Sequence, residues 1–147
     1  MKRLAFLVCC AFFVGCEGAD YISQSGVRII YRDINTQWQP EHIDKQELYF
    51  LQKLNEAGLY PDAGKALKIA TAYIYPDKIP CMSSPTGYCN GFQDYTNVHV
   101  RDMGCPYNSA YTHELGHLVQ QYAGINDYNH EEKSFWDIAD SAPEACP

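Results

Sequence analysis

The run "VRIIY" places apolar side chains at Val27, Ile29 and Tyr31 in alternation, the period of a strand with one buried face. A different period succeeds it. Ile43, Phe50, Leu51 and Leu54 stand at i, i+7, i+8 and i+11, one stripe of a helix with Pro40 in its first turn and Gly58 ending it. "KIATAYIY", Lys68 to Tyr75, is rich in β-formers, stops at Pro76 and predicts a central strand. A loop from Pro76 to Phe92 comes next. "NVHVRD" then alternates again, with Val98 and Val100 on one face.

Near the end the period returns to that of a helix, from about Ser109 to Ala123, with Asn108 or Ser109 as N-cap and Gly124 at the C-cap. Tyr111, Leu115, Leu118, Val119 and Tyr122 fall within roughly 100° of arc and make its core stripe. His113 and His117 project from the other side. A last helix is expected from near Asn129, carrying Phe135, Trp136 and Ile138 into the core. Strands and helices in this order predict a single α+β domain, which suits a length of 147 residues.

The first sixteen residues, "MKRLAFLVCCAFFVGC", do not belong to that domain. Lys2 and Arg3 precede an apolar run from Leu4 to Val14, which is shorter than the roughly twenty residues a membrane-spanning helix needs. The ending "FVGC" resembles the lipobox of bacterial lipoproteins. That resemblance implies a signal of residues 1–15, lipidation of Cys16, a polar tether over 16–26 and a folded domain over 27–147. It also implies export to the bacterial cell envelope, on a lipid anchor. Loss of the leader removes two cations and no acid, taking the formal charge from −7 to −9. A domain this acidic, without basic clusters, is a poor partner for nucleic acid or an anionic lipid surface.

Removing the leader also resolves the seven cysteines. Cys81, Cys89, Cys105 and Cys146 remain, an even number in an exported domain, and none forms the close pair that zinc sites use. Three pairings are open to four cysteines. The short loop holding Pro85 and Gly87 favours Cys81–Cys89, which leaves Cys105 to pair with Cys146.

The chemistry concentrates in "HELGHLVQQYAGINDYNHEEKSFW". His113 and His117, four apart, sit one turn above each other, so both imidazoles can converge on one ion. Three protein ligands would leave a fourth position for water, and Glu114 can reach that water as a general base. Asp127, His130, Glu131 and Glu132 could each supply the third ligand once Gly124 reverses the chain. His130 is favoured because Phe135 and Trp136 come after it and would anchor the helix presenting it.

This pattern, HELGH followed by a histidine and then Phe-Trp, resembles the zincin metallopeptidases, especially small zincins of the SprT, WLM and YgjP-like type. The resemblance covers Ser109 to Ala139. It implies a short mixed sheet with an active-site helix and a following ligand-bearing helix. It also implies one zinc ion held by His113, His117 and His130, Glu114 as catalytic base, and a peptide or protein as substrate. By the same likeness "NVHVRD" would be the sheet edge along which an extended peptide pairs. His99 and Arg101 on that strand, and Tyr128 beside the third histidine, are then candidates to touch substrate or the oxyanion. Two rivals stand beside this reading: a non-catalytic exported lipoprotein of zincin fold acting as a binding module, and an interaction protein whose histidines bind nothing.

Overall fold

The computed structural model describes residues 18–33, 38–81, 84–102 and 109–141. Cys16, the leader, the Asn108 cap and the expected Cys105–Cys146 pair lie outside the described residues. Over the described residues the chain folds as an α+β domain in which a five-stranded mixed sheet carries four helices.

Chain order runs β1 (Tyr21–Ile22), β2 (Arg28–Tyr31), α1 (Pro40–Ala57), α2 (Ala63–Leu67), β3 (Thr71–Tyr75), β4 (Ile79–Pro80), β5 (Tyr88–Cys89), β6 (Gly91–Asp94), β7 (Asn97–Arg101), α3 (Ser109–Tyr122) and α4 (Lys133–Ala139). In space the main sheet reads β1-β2-β3-β7-β6. The inner strands β2, β3 and β7 are parallel, while β1 and β6 run antiparallel at the two edges. β4 and β5 form a separate small hairpin. Cys89 of β5 and Cys81, directly after β4, stand at disulfide distance with Cα atoms 5.8 Å apart. Among the described residues no helix is long and apolar enough to cross a membrane.

Alternation decides which sheet face is covered. Ile29, Ala72, Ile74, Val98 and Val100 share one face by register and are fully buried, together with Val27 just before β2. They pack under Phe50 and Leu54 of α1, Leu67 of α2, Leu115 and Leu118 of α3 and Phe135 of α4. Pro40 starts α1, and Gly58 ends it at φ 68°, a left-handed turn that suits glycine. Fully burying one such aliphatic or aromatic side chain stabilises the fold by about 1.5–3 kcal/mol.

Several expectations need correction. Tyr21 and Ile22 pair with β2, so this part of the expected tether is built into the sheet. The central strand begins at Thr71, because Lys68 to Ala70 make the turn after α2. The stretch expected as loop holds three strands, and one of them, β6, displaces β7 from the sheet edge. β7 is therefore an inner strand with neighbours on both sides, and no peptide can pair along it. The last helix begins at Lys133 rather than near Asn129, which leaves His130 in the preceding loop. Tyr122 does not join the core and is 45 % exposed.

Candidate metal centre

α3 lies across β7 and β6 with Tyr111, Leu115, Leu118 and Val119 buried beneath it. The opposite side of the helix is met by α4. Gly116 permits this close approach, since a Cβ there would stand 3.1 Å from Ala139 Cβ and 3.3 Å from the Phe135 ring. Thr112 Oγ1 donates to Ala139 O at 2.6 Å and fixes the crossing. α4 is thereby held against the half-buried His113 and His117.

The loop between α3 and α4 supplies the third imidazole. Gly124, at φ 75°, turns the chain back. Asp127 then organises the segment up to Trp136: its Oδ1 accepts Glu131 N at 2.8 Å, and its Oδ2 accepts Glu132 N at 3.0 Å and Trp136 Nε1 at 2.9 Å. Those backbone hydrogen bonds, ahead of the indole, hold the Asp127 carboxyl well below the usual carboxylate range. His130 sits inside this clasp at φ 57°, a backbone region that non-glycine residues rarely adopt, with its N–H on Asp127 O at 3.2 Å.

Three imidazoles converge as a result. One ring nitrogen each from His113, His117 and His130 lie within 4.8 Å of one another, and this is the only such group of metal-binding side chains among the described residues. His130 Nε2 stands 3.3 Å from His117 Nε2. Two imidazole nitrogens on one tetrahedral zinc, each about 2.0–2.1 Å from the ion, are separated by about 3.3 Å. The Trp136 ring packs against all three histidines, with centroids 5.0, 4.7 and 4.1 Å from His113, His117 and His130.

At His117 the surroundings disfavour a proton. Burial, and then the neighbouring His113 and His130, push His117 down to about 4, so its ring is neutral and its lone pair available. His113 is oriented from behind: its Nδ1 is 2.7 Å from Asp140 Oδ1. Facing a carboxylate, Nδ1 carries the proton and Nε2 is left as the donor. Asp140 carried no signal in the sequence; it reaches His113 only because α4 ends beside the first turns of α3.

Of the four proposed third ligands, only His130 joins the group. Asp127 is occupied as the loop's acceptor, Glu132 takes the Tyr60 hydroxyl and Glu131 is exposed outside it. Glu114 is 7 % exposed, and burial pushes its carboxyl up to about 8. It faces β6, the edge strand that the sequence did not reveal. A cavity of about 270 Å³ opens beside His117, walled by Gln93 of β6, Gln120, Gln121, Asp127 and Tyr128. Tyr128, 74 % exposed with its ring 6.3 Å from that of His117, remains placed to meet a ligand there.

His99 does not. By register it points to the other sheet face, where it stacks between Tyr73 and Phe92 at 4.9 and 4.4 Å, and its Nδ1 meets Tyr75 OH at 3.1 Å. Arg101 shares that strand parity. Both alternate with Val98 and Val100, whose face is the one under α3, so neither can reach the histidines. No family model, curated protein or solved structure matches this chain.

Proposed function

We propose that this protein is a zinc-dependent peptidase of zincin type, carried to the bacterial cell envelope by its leader and anchored through Cys16. The observation that carries the proposal is the convergence of His113, His117 and His130 from a helix and a distant loop, with Glu114 buried in the next position of the same helix. A donor set of three imidazoles, without thiolate, suits zinc and would leave room for water and substrate. When bound there, zinc supplies a Lewis acid and makes the coordinated water more acidic. Asp140 holds His113 in the ligating tautomer, and Trp136 fixes the three rings. With the charge of bound zinc favouring its ionised form, Glu114 would take the proton of the attacking water and pass it to the leaving amine. An extended peptide is oriented along the outer edge of β6, through backbone hydrogen bonds, with a side chain in the cavity beside His117.

The second reading, a non-catalytic binding module of the same fold, explains the histidines but not Glu114. A structural zinc has no use for an acidic side chain buried there. Peptide-library cleavage by zinc-loaded protein separates the two, and Glu114→Gln is the control. That variant should retain metal and fold while hydrolysis falls by about 10²–10⁴-fold, because glutamine cannot accept the proton. A native protein that holds one zinc and cleaves nothing favours the binding module.

A further inference from the structure

β6 meets α3 at a position where the chain has no side chain. We propose that Gly91 is the positioning residue for Glu114, its missing Cβ being the space in which the carboxylate is held. A Cβ built on Gly91 would stand 2.8 Å from Glu114 Oε1 and 2.9 Å from Glu114 Cγ, closer than side-chain atoms come in folded proteins. Because Cγ is overlapped as well as the terminal oxygen, rotating the carboxyl group alone gives no relief. The whole side chain must swing to another rotamer.

Neither the backbone nor the strand offers an escape. Gly91 is not among the glycines with positive φ, so its conformation is open to any residue. It pairs in register with Val100, and its Cβ position also lies 3.2 Å from His99 O on β7. Two residues on, the next position facing α3 is Gln93, whose Nε2 donates to Gln121 Oε1 at 2.5 Å and ties the strand to the helix. β6 is thus held at both levels, and an added methyl group displaces Glu114 rather than the strand. Glycine is required here only because Glu114 occupies the space.

The inference rests on Glu114 being the general base, and its test separates that premise from the positioning claim. Gly91→Ala should bind zinc with native stoichiometry and keep KM within about twofold. Its kcat should fall about 10–100-fold, the scale expected when a catalytic group is misplaced by about 1 Å. Metal-free Gly91→Ala should also melt a few degrees below native, as overpacked positions do. In a Glu114→Ala background both effects should vanish, and Gly91→Ala should leave Tm unchanged or raise it, because alanine restricts the unfolded chain. Equal losses in both backgrounds, or native kcat in Gly91→Ala, overturn the proposal. If the zinc-loaded native protein cleaves nothing, the peptidase reading fails. The melting cycle then decides the contact by itself: coupling between the two positions supports it and additivity refutes it.

Discussion

Glu47 tests the physics of the scaffold beneath the histidine-bearing helix α3. It lies on α1, wholly buried, and its Oε1 accepts the Tyr111 hydroxyl at 2.6 Å, two residues before His113 on α3. Asp44, one turn earlier and also buried, takes Tyr21 OH at 2.6 Å and Gln24 N at 2.8 Å. Among the described residues no cation figures in the shift of Glu47. Burial pushes the Glu47 carboxyl from 4.5 up to about 7, against the opposing effect of its hydroxyl neighbours. The native state therefore holds this proton more tightly than the unfolded chain. Stability from the group is complete below about pH 4.5, is lost as pH rises through about 7, and stays lost above it. The span corresponds to about 3 kcal/mol, or on the order of 10 °C in Tm for a domain of this size. Glu47→Gln should remove this group's share of the dependence, since it keeps the acceptor for Tyr111 and stays neutral across the range. Thermal melts of metal-free protein from pH 4.5 to 8.5 measure it. The variant should match native at the acid end and exceed it by about 3 kcal/mol at pH 8. Parallel curves for the two proteins would refute the reasoning.

Two further outcomes concern the metal. His130→Ala should lose zinc far more severely than Glu131→Ala, because it removes one of three converging donors while Glu131 is exposed outside the group; competition against a chelator measures both, and equal losses would disqualify His130. Asp140→Asn should weaken zinc by about 10–100-fold without unfolding the domain, since an uncharged amide orients the His113 ring less strongly; native affinity in that variant would show the 2.7 Å contact to be incidental.

What could be read from the sequence alone was the behaviour of segments whose neighbours are generic. Pro40 and Gly58 bracketed α1, and the spacing of Ile43, Phe50 and Leu54 set its buried face, because caps and stripes depend only on local geometry. The same holds for α3, where His113 and His117 fall on the side away from the core stripe. His130 was reachable because a bulky aromatic, Trp136, comes after it and must be buried somewhere. β6 was not legible: "GFQD" has no apolar alternation, since its face toward α3 bears a glycine and a glutamine that serve Glu114 and Gln121. α2, at five residues, is too short to show a period. Burial of Asp44 and Glu47 on α1 had no signal in the sequence, because their partners Tyr21, Gln24 and Tyr111 come from two distant segments.

Strand order was decided by the tertiary structure alone, as were the edge available to a peptide and the carboxylate behind His113. Hydrophobic period states that a residue is buried but not against what, because the apolar contact that drives burial has no direction. Hydrogen bonds and metal ligation do have direction. The partners they need at this site, Asp140 for His113 and the gap at Gly91 for Glu114, lie more than twenty residues away along the chain and meet only when α3, α4 and β6 close on one another.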